Sequence, residues 1–197
     1  MPFRIATLFY FSLALAYSGF LFYIASYLPQ WTKMAAAALT WAVYSRIVRL
    51  LVIYLSTFIF FITFIKWMFL HKKWLFLGIL ALYLMFLFYF VSRLGESVNE
   101  YVHFPEYAVL VLLWHVAFKK APQIGLANVF RGRKTWIAAI VVSAVLGVME
   151  ECYQIILPQR VFDIQDILLN LMGVWLGSLL IWVFEGGSEK EIKRPVL

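Results

Sequence analysis

The chain is short of charge, of acidic residues in particular, and of cysteine. Only 14% of its 197 residues are charged, and 10 Asp and Glu stand against 17 Lys and Arg. A soluble domain of this size would lack the polar side chains needed to cover its surface, so this composition excludes one. The single cysteine, Cys152, excludes an intrachain disulfide and leaves the redox compartment undetermined.

Apolar side chains fill the sequence instead. Hydrophobic residues make up 64% of the chain, aromatic residues make up 19%, and the mean hydropathy is +0.88. These values indicate an integral membrane protein that crosses the bilayer several times. The net charge of +7 is divided among short loops, as topology signals are, so we expect no nucleic-acid partner.

The apolar segments are close to the roughly 20 residues that cross a hydrocarbon core. They predict an all-α membrane protein, a compact bundle of about six transmembrane helices, at Ile5–Leu28, Leu50–Leu70, Trp74–Val91, Tyr101–Phe118, Thr135–Leu157 and Asp166–Phe184. Pro29 is expected to follow the first helix, and the mixed stretch 30–49 is expected to lie partly along the membrane surface.

Three parts follow from these segments. Residues 1–91 would hold about three helices without a recognised motif, residues 92–184 three helices with a polar cluster, and residues 185–197 a charged tail. Lys and Arg are concentrated on the loops that share a side with the N-terminus, which predicts cytoplasmic termini. The connection 92–100 and the hinge around Pro158 and Arg160 would then both face outward.

Two helical stripes of polar or small residues flank that hinge. The first comprises Gly147, Glu151 and Gln154, and the second comprises Asp166, Asn170, Gly173 and Gly177. A carboxylate is costly against acyl chains, so we expect the two stripes to face each other. Glu150 lies about 100° around the helix from Glu151, and the spacing to Gln154 predicts that only Glu151 joins the central face.

A third polar face is expected at the start of the fourth helix, where Glu100, His103 and Tyr107 are spaced i, i+3 and i+7. An imidazole beside a carboxylate suits general acid/base catalysis, which makes Glu100 and His103 the candidate catalytic pair. Arg160 would bind a phosphate or carboxylate. Glu151, Gln154, Asp166 and Asn170 complete the candidate binding residues.

Each of these residues also has a structural interpretation. Gly173 and Gly177 favour close helix packing, Arg160 and Asp166 could form an ion pair that fixes the hinge, and Gln154 and Asn170 could bond across helices. Glu106 and His115 would face water or a neighbouring helix. Glu100, His103, Glu151 and Asp166 lack a compact ligand spacing, so the sequence predicts neither a metal nor a cofactor.

The motifs taken together resemble the VanZ-like family. They are Glu100-x-x-His103-Phe104-x-x-Tyr107, Glu151-x-x-Gln154, Pro158-x-Arg160, Asp166-x-x-x-Asn170 and Gly173-x-x-x-Gly177. The resemblance covers residues 100–184 and departs from the family at Glu100-Tyr101, where members often have an aspartate-lysine pair. It implies a protein of the bacterial cytoplasmic membrane, in a family named after a determinant of low-level teicoplanin resistance.

Three functions remain open at this stage. The protein could act at the cell envelope by lowering glycopeptide action or by binding an envelope lipid or lipid-linked precursor in an extracytoplasmic polar pocket. It could instead be a membrane-embedded acid/base enzyme with a lipid or acyl substrate, or a structural, accessory membrane subunit. Membrane lipids, a lipid-linked precursor and a glycopeptide are the expected partners, and the oligomeric state is not predicted.

Overall fold

The computed structural model describes residues 2–68, 102–124, 133–158 and 160–185. Within these ranges there are five α helices and no strand: α1 (Pro2–Leu39), α2 (Trp41–Met68), α3 (His103–Lys120), α4 (Arg133–Gln154) and α5 (Ile164–Glu185), with a 3₁₀ helix, Ala121–Ile124, after α3. The predicted all-α fold is confirmed. The predicted third helix, Glu100, the boundary between residues 91 and 92, and the tail beyond Glu185 lie outside the described residues.

Three of the described helices are long and apolar enough to cross a membrane, at Arg4–Leu39, Lys134–Gln154 and Ile164–Trp182. The described residues therefore support a helical membrane protein, although they do not establish the six spans that the sequence predicts. Helix α3 is different, because it has only 18 residues and carries Glu106, Lys119 and Lys120. It packs against α1, α4 and α5, so much of its surface meets protein.

Helix α1 does not end before Pro29, as the sequence predicts, but continues through it to Leu39. Proline removes the N–H that would bond to the carbonyl four residues earlier, which here belongs to Ala25. The Nε of Arg160 donates to that same carbonyl oxygen at 3.0 Å. A partner from the hinge thus satisfies the acceptor that Pro29 leaves open, which is how membrane helices tolerate proline.

The mixed stretch 30–49 is helical and belongs to two helices that are separated at Thr40, where φ is 62°. At 1.5 Å per residue, the 38 residues of α1 extend about 57 Å, nearly twice the depth of a hydrocarbon core. Three exposed aromatic rings follow one another along its second half. The ring centroids of Tyr23 and Tyr27 are 4.6 Å apart, and those of Tyr27 and Trp31 are 6.4 Å apart.

Helices α3 and α5 approach each other most closely at two glycines. A Cβ on Gly173 would overlap the carbonyl oxygen of Phe104, and a Cβ on Gly177 would lie 2.5 Å from the carbonyl oxygen of Ala108. Only glycine allows backbones this near to each other. These two residues therefore face α3, not α4, and the expectation that their whole stripe faces α4 is wrong.

The bundle has two chemically distinct ends. At one, the Thr7 hydroxyl donates to the Lys120 carbonyl oxygen at 3.1 Å, and Lys119 Nζ lies 2.6 Å from Glu185 Oε1; we call it the lysine end. At the other, the start of α3, the end of α4 and the start of α5 meet beside the hinge, and we call it the hinge end. The start of α1 thus lies at the same end as the end of α5.

Candidate functional site

The hinge end gathers a group of buried and partly buried polar side chains that we call the polar cluster. Its members come from the first turns of α3, the last turns of α4, the hinge and the first turns of α5: His103, Glu106, Tyr107, Glu150, Glu151, Gln154, Arg160, Asp166 and Asn170. The start of α3 and the distant stretch 150–170 thereby place their ionisable groups at one level of the bundle.

Glu150 makes the most hydrogen bonds within the described part of this cluster. Tyr107 Oη donates to its Oε2 at 3.2 Å, Gln154 Nε2 donates to its Oε1 at 3.2 Å, and Asn170 Nδ2 lies 3.5 Å from Oε2. The prediction that only Glu151 joins the central face is wrong, because Glu150 is 2% exposed and Glu151 is 0% exposed. Protein surrounds the end of α4 on more than one side, so two adjacent positions are both buried.

Glu151 points into the gap between α3 and α5. Its Oε1 accepts a hydrogen bond from Gln154 Nε2 at 2.8 Å. Its Oε2 is buried and has no hydrogen-bond partner among the described residues. One possible ligand atom from each of His103, Glu151 and Asp166 lies within 4.8 Å of the other two. These three residues are far apart in sequence, yet the fold brings them together at a separation that could hold a metal ion.

The imidazole of His103 lies between two carboxylates. Its Nδ1 is 3.6 Å from Glu150 Oε2 and 3.7 Å from Glu106 Oε2. Both distances are too long for a hydrogen bond, and in the described ranges Nδ1 has no bonding partner. Glu100, its predicted acid/base partner, lies outside those ranges. Sequence reasoning did not assign Glu106 to the site, although its i+3 spacing from His103 was the signal that could have done so.

Arg160 connects the hinge to α1 through the Ala25 carbonyl described above. Its backbone N–H donates to the Leu157 carbonyl oxygen at 3.2 Å, which fixes the turn. Its Nη2 is buried, and no described residue bonds to it. The guanidinium is therefore held by one nitrogen, while another stays available beside the carboxylates of the cluster.

Asn170 and Gly147 connect the two predicted stripes. Asn170 Nδ2 donates to the Gly147 carbonyl oxygen at 3.2 Å. A Cβ on Gly147 would lie 3.0 Å from Tyr107 Cε1 and 3.1 Å from Asn170 Cβ. This part of α5 does face α4, so the expectation that the stripes face each other holds for Asn170. It does not hold for Gly173 and Gly177, which face α3.

The described part of the cluster carries an unbalanced charge. Among the described residues it contains four carboxyl groups, from Glu106, Glu150, Glu151 and Asp166, and one guanidinium. Buried carboxylates at short separations cannot all stay ionised unless they gain further positive charge. The cluster can therefore take up protons, a cation, or a ligand that presents several hydrogen-bond donors.

The lysine end is balanced. Glu185 Oε2 lies 2.9 Å from His115 Nε2, and its Oε1 lies 2.6 Å from Lys119 Nζ. Partial burial acts to raise the pKa of Glu185, but the bond from Lys119 and the charge of His115 outweigh it and hold the pKa below its ordinary value of 4.5. His115 thus faces a neighbouring helix, one of the two environments expected for it.

Comparison with known proteins supplies the identity that geometry alone does not. No curated protein and no solved structure matches the chain. The family model described as VanZ/LLP1 matches residues 7–185. This range begins in α1 and ends with α5, so it covers both the polar cluster and the N-terminal helices that carry no recognised motif. The chain belongs to the VanZ/LLP1 family and is a VanZ-like membrane protein.

Proposed function

We propose that this VanZ-like protein binds an envelope lipid or a lipid-linked precursor at the polar cluster, and that this binding lowers the action of glycopeptides such as teicoplanin. One observation carries the proposal. A buried polar cluster with unused bonding capacity adjoins a hinge whose apolar side chains are exposed. An amphiphile has the matching pair of surfaces, a polar headgroup and an apolar tail.

The polar half of the match rests on atoms with free bonding capacity. The Arg160 Nη2 can donate to a phosphate oxygen, and the Glu151 Oε2 can accept from a hydroxyl or amide group; neither has a partner within the described residues. Leaving such atoms unbonded in a buried site is costly. A headgroup that bears both phosphate and sugar or peptide donors would satisfy both kinds of atom.

The apolar half rests on the hinge. Five large apolar side chains on or beside it are exposed: Ile155, Ile156, Val161, Phe162 and Ile164. Such a surface is stable against lipid chains and unfavourable in water. The tail of an amphiphile can lie against it while its headgroup approaches the cluster.

Lipid mass spectrometry on the purified protein tests the proposal. The wild type should copurify with an envelope lipid or lipid-linked precursor, and Arg160→Gln should retain at least about tenfold less of it, because a charge-assisted bond is lost. The matched control is Glu185→Gln at the lysine end, which should retain the wild-type amount. Equal lipid content in all three proteins would contradict a role for the cluster.

Antibiotic susceptibility tests the consequence in cells. Bacteria that produce the wild-type protein should tolerate more teicoplanin than bacteria that produce Arg160→Gln at the same membrane level. If lipid binding depends on Arg160 but tolerance does not change, the protein binds lipid without the proposed effect on glycopeptides.

A membrane-embedded acid/base enzyme is the second candidate, favoured by the position of His103 between two carboxylates. An imidazole with adjacent carboxylates can exchange protons with a bound substrate. The variant His103→Gln separates the two functions. An enzyme would keep its bound lipid but stop converting it, whereas a binding protein would show no converted lipid in either form.

A further inference from the structure

We propose that His103, Glu151 and Asp166 form a binding site for a divalent transition-metal ion. The inference rests on the geometry of these side chains and does not depend on the lipid binding proposed above; where an ion occupies the Glu151 Oε2, a headgroup would contact Arg160 and the ion instead of that oxygen. Its first support is convergence. One possible ligand atom of each residue lies within 4.8 Å of the other two, and all three residues are buried.

Metal bonds of 2.0–2.2 Å place ligand atoms about 3–4 Å from one another. The ligand atoms lie within 4.8 Å of one another, a limit slightly larger than this spacing, so at most small rotations of the side chains would close the site around an ion. The three ligands come from the start of α3, the end of α4 and the start of α5. Three separate helices thus hold the ligands, and rotation of the side chains does not require the helices to move.

An unused ligand atom is the second support. The Glu151 side chain is 0% exposed, and its Oε2 has no hydrogen-bond partner within the described ranges. Gln154 holds the other oxygen of the same carboxylate at 2.8 Å. A carboxylate that is fixed by one oxygen and open at the other is oriented as a metal ligand is by its outer partners.

The surroundings of His103 are the third support. The carboxylates of Glu150 and Glu106 lie 3.6 Å and 3.7 Å from Nδ1. These carboxylates lie beyond hydrogen-bond distance of Nδ1, but their negative charge beside the imidazole favours a cation bound to the ring. The surplus of carboxyl groups over guanidinium in the cluster also favours a cation over an anion.

The ligand set indicates the kind of ion. One imidazole nitrogen with two carboxylates suits Zn²⁺ or Mn²⁺, whereas Ca²⁺ and Mg²⁺ prefer ligand sets made only of oxygen. Three protein ligands leave at least one coordination position for water or for an oxygen atom of a bound molecule. A phosphate oxygen could occupy this position beside Arg160, whose Nη2 is unbonded among the described residues.

Metal analysis of the full-length protein in detergent tests the site. After treatment with a chelator and dialysis, the protein is titrated with Zn²⁺ or Mn²⁺ alone, and the bound metal is counted by mass spectrometry. The wild type should bind about one ion per chain. Glu151→Gln and Asp166→Asn should each weaken binding more than about 100-fold, since even outer-shell changes cost 10–100-fold.

Glu185→Gln is the matched control, because it removes a carboxylate that also lies beside a histidine but outside the site. It should bind metal as the wild type does. Equal binding by wild type, Glu151→Gln and Asp166→Asn would overturn the proposal, as would a failure of the wild type to bind either ion. Far-UV circular dichroism of each metal-free variant shows whether its helix content is unchanged, so that a loss of metal binding can be distinguished from a loss of fold.

The metal experiment adds no lipid and counts only bound metal, so its readout is separate from that of lipid mass spectrometry. Lipid recovered in equal amounts with and without chelator would leave the lipid proposal standing if the metal proposal fails. Metal binding without copurified lipid would support the metal proposal and contradict the lipid proposal.

Discussion

At the hinge end, His103 Nδ1 lies 3.6 Å from Glu150 Oε2, whereas at the lysine end His115 Nε2 lies 2.9 Å from Glu185 Oε2. The residue types are the same, but the surroundings differ. Lys119 completes a balanced group at the lysine end, where Glu185 is 40% exposed. Among the described residues of the hinge end, most of the carboxyl groups are buried, and they outnumber the guanidinium.

The difference in charge balance indicates that the two ends have different roles. A balanced, partly exposed ion pair adds a little stability and needs nothing further. Unbalanced buried carboxylates lower the stability of a fold unless something else neutralises them. The lysine end therefore fits a structural role, whereas the hinge end fits a ligand-binding role. Substitutions at matched positions of the two ends test whether their roles differ.

The largest effect is expected from Gly173→Leu. The new side chain would collide with the Phe104 carbonyl oxygen and Tyr107 Cβ on α3, so the hinge end could not assemble. The free energy of unfolding should fall by about 3 kcal/mol, as measured by SDS unfolding in mixed micelles. Gly19→Leu is the control, because no described atom lies within 4 Å of a Cβ there. Equal losses in the two variants would mean that the close approach of α3 and α5 makes no particular contribution to the free energy of unfolding.

Arg160→Gln should have the next largest effect, a loss of about 2 kcal/mol, because it leaves the Ala25 carbonyl without its donor. A second substitution, Pro29→Ala, restores a backbone N–H that can bond to this carbonyl within α1. In that background Arg160→Gln should cost about 1 kcal/mol less. Thermal unfolding of the four proteins forms a double-mutant cycle, and strictly additive losses would argue against the connection between Arg160 and Pro29.

Glu151→Gln should stabilise the metal-free protein. The change removes one of the unbalanced buried charges and keeps an oxygen that can accept from Gln154. We expect the free energy of unfolding to rise by about 1 kcal/mol in the presence of chelator. Thermal unfolding with and without chelator measures the change. A loss of stability would mean that the hinge end is already neutralised and resembles the lysine end.

Glu185→Gln should have the smallest effect and the opposite sign, a loss of at most about 0.5 kcal/mol, because the pair is partly exposed and screened by water. The folded-state pKa of Glu185 is lowered, so its contribution is present above the unfolded pKa of about 4.3. It is lost as the pH falls through the folded pKa. The stability difference between variant and wild type should therefore vanish in acid, and a difference that grows there would contradict this assignment.

The last three helices could be predicted from sequence to within a few residues. Each is an apolar run bounded by charged residues or by the hinge, and length alone indicates a helix in a membrane. The spacing of Glu151, Asp166 and Asn170 also indicated a polar site at the hinge, since carboxylates avoid acyl chains. The structure places these residues in one cluster.

Other features could not be read from one segment at a time. Pro29 looks like the end of a helix, because the sequence does not show that Arg160 reaches Ala25 from 135 residues away. The helical position of Glu150 on α4 alone predicts that it lies outside the central face. In the structure, Tyr107 of α3 donates a hydrogen bond to its carboxylate. In both cases the deciding contact comes from a distant segment of the chain, which the periodicity of a single helix does not reveal.

The aromatic rings along α1 have a consequence for how solutes reach the protein. Tyrosine and tryptophan prefer the headgroup layer of a bilayer, and Tyr23, Tyr27 and Trp31 flank Ala25, the residue that Arg160 contacts. We therefore expect the hinge to lie at the boundary between water and acyl chains. Small ions and lipid headgroups can then reach the polar cluster laterally from the headgroup layer, without first crossing the hydrocarbon core.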